Sequence, residues 1–136
     1  MQPGSVRAVR YLSSEWIDAA GRALSGDAGL KDATVDLRLT LQQVVTEGPA
    51  GTVRWHVAID HGRVELAEGE APAADLRFTT TYATAAAIAS GALGAQRAFA
   101  EGKLRVGGDL SLLVAHHRTL ASLDDALAAL RAETSL

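Results

Sequence analysis

The sequence is constrained most by two runs in which apolar and polar residues alternate with a period of two. In the first run, which starts at Thr34, the apolar members are Val35, Leu37, Leu39 and Leu41. In the second run they are Val53, Trp55, Val57 and Ile59. Because successive side chains of a strand point to opposite faces of a sheet, each run predicts a strand with one apolar face. The Gly- and Pro-rich segment 47–51 between them predicts a turn, so we expect an antiparallel pair.

Further strands are predicted downstream of this pair. The residues Asp60, His61 and Gly62 predict a tight turn into a third strand that contains Val64 and Leu66. A fourth strand contains Leu76 and Phe78, and a fifth contains Leu104 and Val106. We expect the first four strands to form a meander, with Gln42 on the solvent face of the first strand.

Helices are predicted from caps and from apolar residues spaced three or four apart. One covers 14–25 after a serine cap and ends at Gly26, and two more cover 82–90 and 95–100. A fourth covers 110–120 behind the Asp109 cap, and a last one begins at Ser122 with Asp125 completing a capping box. The predicted fold class is α+β, a two-layer sandwich in which helices cover one face of a five-stranded, mainly antiparallel sheet.

Charge and composition exclude several classes of function. The chain has 136 residues and a net charge of -3, and its basic residues are scattered, so nucleic acid is not an expected partner. The sequence contains no cationic amphipathic helix, so stable membrane anchoring is not expected. The absence of cysteine excludes disulfides and thiolate metal ligands. We expect a single domain over 1–136 and, because 1–12 lacks a signal-peptide apolar run, a cytoplasmic location.

A small-residue helix, the segment from Gly102 to Asp109 and a leucine-rich helix follow one another in this chain. The segment reads Gly-x-Leu-x-Val-x-Gly-Asp and resembles the sterol carrier protein type 2 family, in which a strand of this pattern enters a leucine-rich helix. The resemblance spans roughly residues 12–120, and the final helix is less typical of the family. It implies a tunnel between sheet and helices that takes fatty acids, acyl esters, sterols or other hydrophobic small molecules.

The residues that the resemblance places along such a tunnel are also ordinary core residues. An apolar site needs shape and aliphatic lining more than a polar constellation, so it leaves little signature in a sequence. Our candidate ligand-binding residues are Leu37, Leu39, Val57, Ile59, Ile88, Phe99, Leu110, Leu113, Val114 and His117. We predict no catalytic residue, no metal ligand and no cofactor.

His117 is the residue at which chemistry is most conceivable. On a helix that continues from Leu110 it shares a face with Leu113 and Val114, and family members more often carry an apolar or amide side chain there. Adjacent histidines on a helix point about 100° apart, so His116 and His117 do not predict a metal site. Two alternatives to lipid carriage stay open: an enzyme or accessory protein in which His117 polarises a hydrophobic biosynthetic intermediate, and an interaction module that pairs with a partner or with a second copy.

Overall fold

The computed structural model describes residues 9–10, 12–49, 51–131 and 134–135 of the chain. Its strands are β1 Val9–Arg10, β2 Arg38–Gly48, β3 Gly51–Asp60, β4 Arg63–Glu68, β5 Leu76–Thr81, β6 Leu104–Gly108 and β7 Thr134–Ser135. Its helices are α1 Ser14–Ser25, α2 Ala28–Ala33, α3 Tyr82–Ala89, α4 Ala95–Ala100, α5 Leu110–Ala115 and α6 His117–Arg131. The short strands β1 and β7 pair with each other, and the remaining strands form one sheet.

The main sheet has five strands in the order β4-β3-β2-β5-β6, with helices packed on it, which confirms the predicted fold class. Strand β5 pairs parallel to β2, and the other neighbours pair antiparallel. The predicted four-strand meander is therefore wrong, because β5 lies beside β2 rather than beside β4. Backbone and side-chain bonds between Thr40 and Asp75 hold this crossover, with the Asp75 carboxylate accepting from the Thr40 N–H at 2.7 Å.

Strand β2 begins later than the alternation predicts. Asp27 accepts a hydrogen bond from the Leu30 N–H at 2.8 Å and starts the short helix α2, which was not predicted from the sequence. Thr34 ends that helix, with its hydroxyl donating to the Leu30 carbonyl. Val35 is consequently 56% exposed in a turn instead of facing the core, and Leu37 precedes the strand.

The C-terminal helices are also divided at a different place. The helix predicted over 110–120 ends at Ala115, His116 has non-helical backbone angles, and α6 then runs from His117 through the predicted boundary. The Ser122 hydroxyl donates to the Arg118 carbonyl one turn earlier, as a residue inside a helix does. The predicted capping box at Ser122 is therefore wrong, and the side chain of Asp125 lies outside the described residues.

Helix α1, together with α6, covers the core over the β3–β4 half of the sheet. Helix α1 lies across β4 and contacts α6, and its Trp16 ring meets Trp55 of β3 edge to face, with centroids 5.8 Å apart. The Ser13 cap, which accepts from the Trp16 N–H at 3.2 Å, fixes the start of this helix as predicted. The largest fully buried side chains are Leu24, Leu30, Thr34, Leu39, Leu41, Gln42, Ile59 and Leu76.

Gln42 contradicts its predicted place on a solvent face. It does lie on the face of β2 opposite Leu41, but its side chain is 0% exposed, because the segment between β4 and β5 covers it. Its amide nitrogen donates to the carbonyls of Trp55 and Gly69 at 3.0 and 3.3 Å, and its carbonyl accepts from the Ala71 N–H at 2.7 Å. The amide thereby ties this crossing segment to the sheet.

Candidate functional site

The helix-facing side of the sheet is incompletely covered along one row of residues that crosses β2, β5 and β6. Trp55, Gln43, Phe78 and Val106 lie in one row across the sheet, because each pairs in register with the next. Trp55 is buried, whereas Gln43, Phe78 and Val106 are only half-buried. Strand β2 is the central strand, so an inward-facing residue on it keeps exposed surface only where the helix layer leaves room above it.

Short helices that surround this part of the sheet carry exposed apolar side chains. Helix α3 contacts β2 and β5, α4 contacts β6, and α5 contacts β5. Phe99 on α4 is 45% exposed, and Leu110 and Val114 on α5 are 46% and 75% exposed. Leu110, Leu113 and Val114 share one face of α5, since they are three and four residues apart. Large exposed apolar side chains on neighbouring elements are candidates for a binding surface.

We use the term apolar site for this region of β2, β5, β6 and α3–α5. Its members, taken from the helix-facing side of the strands and from the three helices, are Gln43, Phe78, Ile88, Phe99, Val106, Leu110, Leu113 and Val114. The predicted candidates Ile88, Phe99, Leu110, Leu113 and Val114 thus lie on elements that pack around β5 and β6. Gln43, Phe78 and Val106 were missing from the prediction, although Gln43 continues the alternation of Leu39 and Leu41.

The other predicted lining residues lie in the sealed core. Leu39, Val57 and Ile59 are each at most 4% exposed within the cluster that contains Trp16 and Leu24. Leu37 is half-buried and packs against the same cluster from the turn before β2. The structure therefore divides the predicted set into core residues and residues around the apolar site.

His117 does not extend the apolar face of α5. The chain breaks its helical path at His116, so the shared face predicted for Leu113, Val114 and His117 is interrupted. The His117 ring is exposed, and its Nδ1 lies 3.0 Å from the Val114 carbonyl oxygen. This contact is the local bond to a backbone carbonyl that a structural histidine makes.

Local caps position the helices around the site. Thr81 accepts from the Thr84 N–H at 3.3 Å and starts α3, and Asp109 accepts from the Ser111 N–H at 3.0 Å and starts α5. The bonds from Ser111 hold the pKa of the Asp109 carboxyl below its ordinary value of 3.8. Gly108, directly before this cap, has φ +98° and passes close to the Asp75 backbone. Only glycine fits such an approach without strain.

Charge is segregated between the two faces of the sheet. Register places the strand arginines on the face opposite the helices; they are Arg38, Arg54, Arg63, Arg77 and Arg105. On that outer face Glu70 bridges Arg54 and Arg77 at 3.4 and 3.5 Å. Among the described residues of the five-stranded sheet, no lysine or arginine therefore lies on the helix-facing side.

Comparison with known proteins identifies the family. The model of the SCP-2 sterol transfer family matches residues 18–121, most of the described sheet and helices. The chain belongs to this family. The SCP-2 match covers the Gly102 to Asp109 segment, so the resemblance seen in the sequence is confirmed. No curated protein matches the chain.

Solved structures show the same SCP-2 fold. A crystal structure of sterol carrier protein 2 is 21% identical with a TM-score of 0.72, over 88% of this chain and 98% of that chain. A hypothetical protein of Thermus thermophilus, described as possibly a sterol carrier protein, is 20% identical with a TM-score of 0.71, over 93% and 95%. Palmitated SCP2L2 from Aedes aegypti is 21% identical with a TM-score of 0.60, over 85% and 94%. Family and fold support binding or transfer of lipids or sterols.

The described residues contain neither a metal-binding cluster nor a membrane-spanning helix. Within the described ranges, histidine, aspartate and glutamate side chains do not gather in groups of three or more that would hold a metal ion. In the same ranges no helix combines the length and the apolar character that crossing a membrane requires.

Proposed function

We propose that this chain binds a lipid or another long-chain hydrophobic molecule in the apolar site and carries it without chemical change. The observation that carries the proposal is the exposure of Gln43, Phe78 and Val106 on the helix-facing side of a sheet whose other half is sealed. A hydrocarbon chain placed over this row removes its own apolar surface and that of the strand residues from water. Each Å² removed contributes roughly 25 cal/mol.

The helices around the site fit this role. Phe99, Leu110 and Val114 are exposed, and a bound chain would cover them. The helices α3, α4 and α5 span Tyr82–Ala89, Ala95–Ala100 and Leu110–Ala115, and Ala85 of α3 and Leu112 of α5 connect two of them to the core cluster. That fatty acyl chains occupy the fold is suggested by the palmitated Aedes aegypti protein.

Carriage rather than catalysis is part of the same proposal. A catalytic function would depend on His117, and the ring of this residue contacts a backbone carbonyl of α5. Three carboxyls have a lowered pKa, and the main cause in each is a hydrogen bond in a turn or at a helix end. The donors are His61 for Asp60, Arg97 for Glu101 and Ser111 for Asp109. We expect His117→Ala to leave lipid affinity unchanged. The cytoplasmic location and the possible homodimer stay predictions from the sequence.

The test is lipid binding by native mass spectrometry after mild purification, together with displacement of a fluorescent fatty acid. We expect a retained lipid mass and displacement by long-chain lipids. Val114→Asp should weaken displacement at least about tenfold, because it puts a charge where the ligand excludes water. The substitution is at an exposed position, so the fold should be unaffected.

Val35→Asp is the matched control. It is the same substitution at a second exposed valine, in the turn after α2 and outside the apolar site. Affinity should stay within about twofold of the wild type. If both variants bind alike, the ligand does not lie against α5; if the wild-type protein binds no lipid class, carriage itself is refuted.

A further inference from the structure

The apolar site contains one polar side chain on the central strand, Gln43. Its neighbours in the row are Trp55 on β3 and Phe78 on β5, and the same side of β2 carries Leu39, Leu41 and Val45. Within the described part of the chain, its side-chain amide makes no hydrogen bond, whereas the adjacent Gln42 amide is fully bonded. A half-buried amide on an inward face is costly unless it gains a partner.

A second polar group next to Gln43 also lacks a partner. The indole Nε1 of Trp55 is buried, and within the described residues nothing accepts its hydrogen. Trp55 is directly opposite Gln43 in the antiparallel ladder, where side chains of paired residues approach within about 5 Å at Cβ. If the Gln43 side chain turns so that its carbonyl oxygen accepts from the indole N–H, its NH₂ group stays free to donate.

The charges around the site decide which ligand group this pair would receive. The strand arginines lie on the outer face, where Arg54 and Arg77 share Glu70, so they do not neutralise an anion over Gln43. A carboxylate placed there would lose its hydration without gaining a cation. A carbonyl oxygen, in contrast, needs only the donor that an amide supplies.

We propose that Gln43, oriented by Trp55, anchors the neutral carbonyl group of an acyl ester while the acyl chain occupies the apolar site. This inference rests on the proposed function and narrows its ligand class. In the bound state the Gln43 NH₂ donates to the ester carbonyl, and the Gln43 oxygen accepts from the Trp55 indole. The Gln43 amide and the Trp55 indole N–H then both have hydrogen-bond partners. Gln43 is a binding residue, and Trp55 is a positioning residue behind it.

The experiment compares ligands that share a chain and differ in the polar group. Methyl decanoate, decanoate and decane are titrated at neutral pH against the protein loaded with the neutral probe 1-aminoanthracene. We expect the ester to displace the probe at a concentration about tenfold below that of decanoate, because the strand arginines lie on the outer face and Arg97 of α4 is paired with Glu101 at 2.9 Å. The ester should also bind more tightly than decane, by about five- to tenfold for one net hydrogen bond.

Variants then assign the difference to residues. Gln43→Leu should lower ester affinity about five- to tenfold and leave decane within about twofold, since it removes the donor and keeps an apolar surface. Trp55→Phe keeps an aromatic ring and should lower ester affinity about two- to fivefold through the loss of orientation. Glu65→Leu, a replacement by leucine at an exposed residue on the outer face of β4, should leave the ratio of ester to decane affinity unchanged.

The possible results separate this inference from the proposed function. If the wild-type protein binds all three ligands but Gln43→Leu weakens ester and decane equally, lipid carriage stands and the anchor is refuted. Decanoate binding as tightly as the ester refutes the preference for a neutral group. An ester affinity unchanged in Trp55→Phe removes the positioning role. If no ligand displaces the probe, the proposed function fails and this inference fails with it.

Discussion

Replacement of Gln42 by leucine tests whether one buried amide holds the crossing segment on the sheet. The Gln42 oxygen accepts from the Ala71 N–H at 2.7 Å, and the nitrogen donates to Trp55 and Gly69 carbonyls. Leucine fills a similar volume but leaves the Ala71 N–H without its acceptor. A buried group left without a partner costs about 1–3 kcal/mol, and the weakened carbonyls add to this. The gain from a fully buried aliphatic side chain offsets part of the loss.

We expect Gln42→Leu to lower the free energy of unfolding by about 2–4 kcal/mol, measured by urea denaturation followed by circular dichroism. For a chain of this size the melting temperature should fall by roughly 8–15 °C. Amide hydrogen exchange gives a local readout, since the Ala71 N–H should lose its protection. The neighbouring Gln43→Leu is the control, and we expect it to change stability by less than about 1 kcal/mol. A Gln42→Leu protein within about 1 kcal/mol of the wild type would refute the assignment.

Two further predictions concern the junction of β6 and α5. Gly108→Ala should destabilise the fold by about 3 kcal/mol or more in the same urea assay, because φ is positive there and a Cβ would overlap the Asp75 carbonyl. Gly107→Ala, whose Cβ would meet its nearest atom, the Arg77 carbonyl oxygen, at 4.0 Å, should cost only about 1 kcal/mol, and equal losses would contradict the geometry. The Asp109 carboxyl has a lowered pKa in the folded protein, so its stabilising effect is present above pH 3.8 and is lost as the pH falls through the folded value. Asp109→Asn keeps the cap and should make stability less sensitive to acid, and an unchanged acid profile of the urea midpoint would refute this.

The elements that were predicted correctly are those whose signals are local. Helix α1 begins at its serine cap, α3 begins after Thr81, and α4 has the predicted bounds. Each boundary depends on a hydrogen bond or a backbone angle within a few residues, which the sequence displays directly. The turn at His61 and Gly62 also forms as predicted, with positive φ at both residues, as a two-residue hairpin requires.

The prediction errors concern features of the fold that depend on contacts between residues far apart in the sequence. The alternation of apolar and polar residues begins at Thr34, but Val35 lies in the turn after α2. Helix α2 forms there because it buries Leu30 in the core, a contact that the alternation does not show. The position of β5 beside β2 depends on bonds between Thr40 and Asp75, which are 35 residues apart. Periodicity carries no information on which edge of a sheet a strand will join.

For the same reason, the alternation does not show which inner-face residues line the candidate site. An alternating pattern identifies which residues face the helices, so Leu39 and Val57 were assigned correctly to the inner face. It does not tell which inward residues the helices cover and which they leave exposed. That distinction, between Leu39, which is fully buried in the core cluster, and Phe78, which is half-buried and packs against the cluster, depends on where the short helices α3 to α5 lie.

The parallel pairing of β2 with β5 joins residues far apart in the sequence, and we expect it to form after the hairpins of β2, β3 and β4. Strands β2, β3 and β4 are joined by short turns, so their hairpins close small loops, whereas Leu41 must find Leu76 across 35 residues. Closing the larger loop costs more chain entropy and is the slower step. The apolar site is built on the far side of this pairing and therefore exists only once it has closed. A lipid that binds there would act on the last stage of folding, slowing unfolding of the finished protein while leaving formation of the first hairpins unchanged.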